Sequence, residues 1–200
     1  KKHHKNYHAQ EGEDGLLKYI FENIEPKSKF GVEFGAGGMS GAVNLRLFVD
    51  DYGWKSVMWE VRDINPKELM EKYGIYFESV THENINDLFE KYKVPKDVDV
   101  VVIDVDGQDY HIWEALKWKP QIVVVEFNTL LDVNESKVMH KDSEHYIWRD
   151  SKSSYYGASV TALKKLGKEK GYTLIDACGR NLFFILDELV EDGYDIDVNN

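Results

Sequence analysis

The chain is poor in cysteine, in positive charge and in long apolar runs. Cys178 is the single cysteine among 200 residues, which excludes an intrachain disulfide and a thiol-ligated structural zinc site. Such sparing use of cysteine is typical of a reducing compartment, so we expect a cytoplasmic protein. The apolar runs fall far short of the roughly 20 residues that a membrane helix needs. The charged start KKHHK also lacks the apolar core of a signal peptide, and we therefore expect no membrane partner.

Basic residues are outnumbered by acidic ones, 25 against 36, which gives a formal net charge of -11. Nucleic-acid binding draws much of its affinity from basic side chains that release counterions from phosphates, so this charge disfavours a nucleic-acid partner. A hydrophobic content of 42% and an aromatic content of 13% favour a folded domain over a disordered chain. The composition leaves the oligomeric state open.

Helical and strand-like patterns alternate along the sequence. The runs VDVVVIDVD (98–106) and QIVVVEFN (121–128) are apolar almost throughout, which indicates strands buried on both faces of a parallel sheet. Further strands are predicted at 30–34, 55–61, 75–81, 172–178 and 180–187, with helices at 14–24, 41–53, 65–74, 84–93, 109–118 and 157–171.

This order predicts an α/β fold: a Rossmann-like, doubly wound, mostly parallel sheet of about seven strands in three αβα layers, ending in a C-terminal antiparallel hairpin. We predict a flexible N-terminal segment over residues 1–13, one domain over 14–190 and an acidic tail over 191–200.

A glycine-rich turn follows the first predicted strand, in KFGVEFGAGGMSG (29–41). Glycine at such a turn allows positive φ and lets backbone N–H groups approach a ligand closely. The pattern E-x-G-x-G-G differs from the G-x-G-x-x-G of dinucleotide-binding proteins, and it lacks the Lys and Ser/Thr of a phosphate-binding P-loop. Taken alone, the loop is compatible with a plain turn and with a ligand cradle.

Polar residues stand where the next three strands end. Glu60 closes the second strand, where nucleoside-binding folds place a carboxylate that accepts hydrogen bonds from ribose hydroxyls. His82, Glu83 and Asn84 follow the third strand, and Asp104 ends the fourth. Because the carboxyl ends of parallel strands meet at one edge of the sheet, these positions predict a nucleoside site.

Five segments carry a resemblance to a known family: VEFGAGG, GWKSVMWE, ENIND, IDVDGQDYHIWEAL and PQIVVVEFN, in this order. The chain resembles a class I S-adenosylmethionine-dependent methyltransferase and is more narrowly similar to the FkbM-like group, which often accompanies sugar and polysaccharide modification genes. AQEGEDGLLKYIF and YGASVTALKKLGKEKGYTLI also resemble that group, so the similarity covers residues 9–186.

The resemblance implies S-adenosylmethionine as cofactor, with its methionine end against the glycine turn, its ribose on Glu60, its adenine near Asn84 and its amino group at Asp104. Relatives tend to have an Asp-Gly pair after the turn, where this chain has GGMSGAVN, so Ser40 and Asn44 are the candidates for the cofactor's carboxylate end. The complete set implied for the cofactor is Gln10, Asp14, Glu33, Gly35, Ala36, Gly37, Ser40, Asn44, Glu60, Asn84 and Asp104.

The candidate catalytic residues follow the fourth and fifth strands: Asp106, His111, Glu126 and Asn128. Strand alternation would place 104 and 106 on one face, and 126 and 128 on one face. One interpretation is a magnesium-like ion held by Asp104, Glu126 and Asn128, as catechol-type methyltransferases hold a metal at these strand ends, although here Glu-Phe-Asn replaces an adjacent Asp-Asn pair. The other is a metal-free general base, His111 or Asp106.

The sequence thus predicts methyl transfer to oxygen or nitrogen of a small polar acceptor, and the resemblance suggests a saccharide. The alternatives are a nucleic-acid or protein methyltransferase, or a non-catalytic nucleoside-binding or assembly protein of the same fold. The polar stretch 129–155 is predicted to be a lid or specificity loop.

Overall fold

The computed structural model describes residues 2–35, 43–61, 67–143 and 156–190. Their helices and strands, in chain order, are α1 (Glu13–Asn23), β1 (Phe30–Phe34), α2 (Arg46–Tyr52), β2 (Lys55–Glu60), α3 (Lys67–Tyr73), β3 (Ile75–Phe77), α4 (Ile85–Lys91), β4 (Val100–Ile103), α5 (Asp109–Ala115), β5 (Ile122–Glu126), α6 (Val160–Lys170), β6 (Tyr172–Cys178) and β7 (Asn181–Leu186). A 3₁₀ turn at Asp187–Leu189 follows.

The strands form one seven-stranded sheet in the order β3-β2-β1-β4-β5-β7-β6. Neighbours among β1 to β5 pair in parallel, whereas β7 runs antiparallel to both β5 and β6. The predicted fold class is confirmed, including the sheet of seven strands and its C-terminal hairpin. The strand order reverses between β1 and β4, and such a reversal opens a crevice at the carboxyl ends of the two strands.

Each face of the sheet buries its own hydrophobic core, as the strand period of two requires. In β4, Val101 and Ile103 join the core beneath α4, α5 and α6, whereas Val100 and Val102 join the core beneath α1, α2 and α3. All four side chains are fully buried. This two-sided burial explains why the β4 and β5 segments read as unbroken apolar runs.

Two predicted strands are shortened more than the others. The strand predicted over 75–81 ends at Phe77, and the one predicted over 98–106 covers only Val100–Ile103. In the second case Asp106 has a positive φ of 58°, and the Asp109 carboxylate accepts the N–H groups of Val105 and Gly107, which turns the chain. The prediction that 104 and 106 share a strand face is therefore wrong, because a turn and not a pleat relates them.

Two long segments of the described chain lack regular secondary structure: one precedes α1, and the other follows β5. Residues 2–12 form no helix or strand, and neither do residues 129–143 apart from one bridge between Val138 and Ala158. The rest of the predicted lid, residues 144–155, and the predicted tail over 191–200 lie outside the described residues. No helix in the described part of the chain is long and apolar enough to cross a membrane.

Candidate functional site

Gly35 stands at the switch point of the sheet, just after β1. Its φ is +68°, and a Cβ at this position would lie 2.0 Å from the carbonyl oxygen of Asp104. Its N–H donates to the carbonyl of Trp59 at 3.0 Å. The ends of β1, β2 and β4 therefore meet at this glycine, and any side chain would push them apart. This is the crevice in which open α/β sheets bind ligands.

Glu33 is a buried residue of β1, and its carboxylate binds the segment that follows the glycine turn. Its Oε1 accepts the backbone N–H and the Nδ2 of Asn44, each at 2.9 Å, and its Oε2 accepts the N–H of Leu45 at 3.0 Å. Burial raises the pKa of Glu33 to about 7, although these hydrogen bonds hold it down in part. Glu33 and Asn44, which are both predicted to contact the cofactor, are thus hydrogen-bonded to each other.

The second and third strands also end in polar side chains. Glu60 is buried at the end of β2, and its Oε1 accepts the N–H of Val61 at 2.9 Å. Asn84 closes the turn before α4: its Oδ1 accepts the N–H of Thr81, and its Nδ2 donates to the carbonyl of Ser79. The amide of Asn84 thereby shapes the loop that follows β3.

The N-terminal residues reach the same edge through Asp14, at the start of α1. Its buried carboxylate accepts the N–H groups of Tyr7, His8 and Ala9, and the carbonyl of His8 accepts the N–H of Val43. Asp14 therefore anchors residues 7–9 beside the segment after the glycine turn. Gln10, in contrast, is exposed. Of the remaining predicted cofactor residues, Ala36, Gly37 and Ser40 lie outside the described residues.

An acidic cluster lies where β4 and β5 end. Asp104, Asp106 and Glu126 each place one carboxylate oxygen within 4.8 Å of one oxygen of each of the others. Asp104 and Asp106 keep partial access to solvent, whereas Glu126 is 3% exposed. Asp104 and Glu126, two of the three predicted metal ligands, lie in this cluster, and Asp106 joins them through the turn.

Desolvation and mutual repulsion favour protons on these groups. Desolvation, followed by the charges of Asp109 and Asp106, raises the pKa of Asp104 to about 7. Desolvation and then the charge of Asp104 raise the pKa of Glu126 to about 10. The pKa of Asp109 rises to about 6 because it is buried, despite the backbone N–H groups that it accepts.

Arg180 supplies a positive charge to this cluster, and sequence reasoning missed it. Its Nε lies 3.4 Å from Glu126 Oε1. Arg180 sits in the turn between β6 and β7, and its carbonyl accepts the N–H of Phe127. Because β7 runs antiparallel to β5, this turn arrives at the carboxyl end of β5. The hairpin signal around Gly179 hinted at this position, but the pairing register that brings it to Glu126 is not readable from sequence.

The two other candidate catalytic residues hold neighbouring loops. Asn128 donates through Nδ2 to the carbonyl of Tyr156 and accepts the N–H of Leu130 on Oδ1. His111 donates through Nε2 to the carbonyl of Met139 at 2.7 Å, and its buried Nδ1 makes no hydrogen bond with any residue that the structure describes. Roles for Asn128 as a metal ligand and for His111 as a base stay predictions.

Comparison with solved structures gives a likeness to the C-methyltransferase domain of the citrinin polyketide synthase, with a TM-score of 0.49 and 13% sequence identity. The match covers 86% of this chain and 50% of that chain, so this chain spans about half the length of its neighbour. A likeness at this score and identity does not assign an activity. No protein-family model matches the chain, and no curated protein matches it.

Proposed function

We propose that the chain binds S-adenosylmethionine in the crevice beside Gly35 and transfers its methyl group to an oxygen or nitrogen of a small polar acceptor. The observation that carries this proposal is the concentration of carboxyl groups around the crevice. Several carboxyl groups lie around the ends of β1, β2, β4 and β5. Within the part of the chain that the structure describes, the basic side chain next to them is that of Arg180. Those carboxyl groups belong to Glu33, Glu60, Asp104, Asp106, Asp109 and Glu126.

Such a crevice disfavours nucleotides that carry phosphates. Like charges about 4 Å apart repel each other by roughly 1 to 4 kcal/mol, depending on exposure. The glycine turn and the residues after it, 35–45, contain no Lys or Arg that could offset a phosphate. S-Adenosylmethionine has no phosphate and carries a sulfonium and an ammonium group. S-Adenosylmethionine therefore offers ribose hydroxyls that can donate hydrogen bonds to Glu60. It also carries positive charges that the carboxyl groups of the crevice attract.

The reaction in this proposal is an in-line displacement. A lone pair of the acceptor forms the new bond to the methyl carbon while the carbon–sulfur bond breaks, and its electron pair stays on sulfur as a neutral thioether. The proton that the acceptor loses passes to a base. The protein contributes by holding donor and acceptor in line and by keeping carboxylates close to the acceptor side.

The acceptor is the least constrained part of the proposal. The resemblance to the FkbM-like group suggests a saccharide hydroxyl, and the net charge of -11 argues against nucleic acid. A screen of methyl transfer from labelled cofactor to a panel of sugars addresses this directly.

Calorimetric titration with S-adenosylhomocysteine tests cofactor binding. We expect the wild-type chain to bind it and to prefer it to ATP and NAD. Glu60→Ala should weaken binding at least about tenfold, because hydrogen bonds to a buried charged group contribute about 1.5 to 3 kcal/mol. The matched control is Glu90→Ala, on the exposed face of α4, which should bind like the wild type.

Circular dichroism of each variant establishes that it is folded. Absence of S-adenosylhomocysteine binding by the folded wild type, or equally tight binding of ATP, would overturn the proposal.

A further inference from the structure

We propose that a cavity at the amino ends of β1 and β2 binds an aromatic α-amino acid. The cavity has a volume of about 330 Å³ and lies between the second half of α1, the end of α2 and the residues that lead into the two strands. Cavities of about 300 to 1,000 Å³ are typical of small-molecule sites. Because β1 and β2 run in parallel, the cavity and the crevice lie at opposite ends of these strands. Binding in the cavity is therefore independent of the proposed function.

Aromatic side chains form the floor of the cavity. Phe48 and Trp54 are buried, Phe21 is partly buried, and Tyr52 is 44% exposed. The ring centroids of Phe21 and Trp54 lie 4.8 Å apart, and those of Phe48 and Tyr52 lie 5.8 Å apart. A further ring can join such a cluster in an offset or edge-to-face arrangement, which adds to the gain from burying its apolar surface. The floor therefore favours a ligand with an aromatic side chain.

Lys29 lines the rim of the cavity in an unusual backbone conformation. Its φ is +52°, in the left-handed region that residues with a Cβ rarely adopt. The cause lies beside it, because the buried carboxylate of Asp99 accepts the N–H groups of Ser28 and Phe30, on either side of Lys29. The fold thus fixes the backbone from which the Lys29 side chain extends, and it places an ammonium group at the rim above the aromatic floor.

The rim carries two opposite charges that no ion pair within the described part of the chain engages, those of Glu25 and Lys29. Both side chains are exposed. Lys18 and Glu22 also line the cavity, but they bind each other across one turn of α1. Glu25 follows the C-terminus of α1, whose last turn has no basic residue and whose last carbonyl groups favour a positive charge. The rim therefore suits an ammonium group near Glu25 and a carboxylate near Lys29.

These two charges together select a zwitterion. An organic cation on the aromatic floor would be repelled by Lys29, and an organic anion would be repelled by Glu25. An α-amino acid carries an ammonium and a carboxylate group on the same carbon, so it can face both side chains at once. Its aromatic side chain then lies against the floor.

NMR titration of the ¹⁵N-labelled full chain with L-phenylalanine tests the site. We expect saturable shifts that centre on residues 18–29 and 48–54 and that fit one molecule per chain. Phenethylamine lacks the carboxylate, and 3-phenylpropionate lacks the ammonium group. Each should bind at least about threefold more weakly than L-phenylalanine, as expected for the loss of one exposed ion pair.

Lys29→Gly removes the ammonium group and suits the positive φ, so the variant should fold. It should weaken L-phenylalanine binding at least about threefold and leave phenethylamine binding unchanged or tighter. The matched control is Lys93→Gly, since Lys93 is also exposed and has a φ of 54° but does not line the cavity. This control should bind L-phenylalanine like the wild type. Tyr52→Ala, at an exposed position, should weaken all three ligands by about threefold through loss of a ring contact.

Absence of L-phenylalanine binding to the wild type would overturn the proposal, as would binding that Lys29→Gly and Tyr52→Ala both retain. Equally tight binding of phenethylamine or 3-phenylpropionate would also overturn it, since the site would then recognise a single charge. Shifts that centre on the residues around Gly35 would contradict it too, because they would place the amino acid in the crevice. S-Adenosylhomocysteine binding should be the same in these variants as in the wild type, so failure of this site and failure of the proposed function are distinguishable.

Discussion

At the scale of single residues, Glu33 shows how a buried carboxyl can organise a site. It lies in a strand between two cores, yet it accepts three N–H groups from Asn44 and Leu45. These bonds close the segment after the glycine turn against β1. Burial raises the pKa of Glu33 from 4.5 to about 7, so the group exchanges a proton close to neutral pH.

Glu33→Gln should change both the stability of the protein and its dependence on pH. The folded chain keeps the Glu33 proton up to about pH 7, whereas the unfolded chain releases it near pH 4.5. Between these values the folded state binds more protons, so the stabilisation that protonation provides is complete below pH 4.5 and is lost as pH rises through 7. Glutamine removes this contribution and also turns an amide toward an N–H donor.

Urea denaturation at pH 5 and pH 8 measures the effect. The variant should be less stable at both values, and the difference from the wild type should be larger at pH 5 by on the order of 2 kcal/mol. A difference that is equal at the two pH values would show that Glu33 does not titrate in this range.

At the scale of elements, the residue that caps α6 also forms hydrogen bonds to the loop around residues 135–137. The hydroxyl oxygen of Ser159 accepts the N–H of Ala162, which caps the helix, and it also accepts the N–H of Lys137. The same hydroxyl donates to the carbonyl of Glu135 at 2.6 Å. Ser159 therefore stabilises both the start of α6 and the loop at residues 135–137.

Ser159→Ala should destabilise the protein by about 1 to 2 kcal/mol through loss of the cap. It should also speed proteolysis within residues 132–143, because Glu135 and Lys137 lose their shared partner. Lys165→Ala, on the exposed face of the same helix, is the control and should alter neither measurement appreciably. If the cap variant loses stability while proteolysis of the loop is unchanged, the tethering role is wrong.

The elements that could be predicted from sequence are those whose pattern has one physical cause. The apolar runs of β4 and β5 follow from burial on both faces, so their presence and their direction in the sheet were predictable. The end of β4 was not, because the turn there depends on Asp109 accepting N–H groups of Val105 and Gly107.

The candidate site divides in the same way. Asp104 and Glu126 were predictable because the carboxyl ends of neighbouring parallel strands always meet. The contribution of Arg180 was not predictable, since it depends on the register of an antiparallel pair. The engagement of Asn84 and Asn128 with nearby backbone was equally hidden, because amide side chains suit loops and ligands alike.

At the scale of the whole molecule, the N-terminal residues join the two sides of the site edge. On one side, the carboxylate of Asp14 accepts backbone N–H groups of residues 7–9. On the other side, His4 Nε2 lies 3.0 Å from Oδ2 of Asp176 in β6, and the thiol of Cys178 donates to the carbonyl of Glu11. The segment therefore spans from the residues after the glycine turn to the β6–β7 hairpin.

Asp14→Asn should loosen this segment. Oδ2 of Asp14 accepts the N–H groups of both His8 and Ala9, and an amide nitrogen in its place cannot accept either. Hydrogen exchange followed by mass spectrometry should show at least tenfold faster exchange at residues 7–9. Asp51→Asn, at an exposed position of α2, is the control. Unchanged exchange in the Asp14 variant would mean that other contacts hold the segment.

The antiparallel strand β7 also has a consequence for the order in which the acidic cluster is completed during synthesis. Glu126 and Asp104 emerge from the ribosome well before Arg180, and the parallel strands that carry them can pair without it. The guanidinium reaches the cluster only after the turn between β6 and β7 has been made and β7 has paired with β5. A nascent chain that stops short of residue 180 lacks this counter-charge, so the ion pair between Arg180 and Glu126 forms only late in translation.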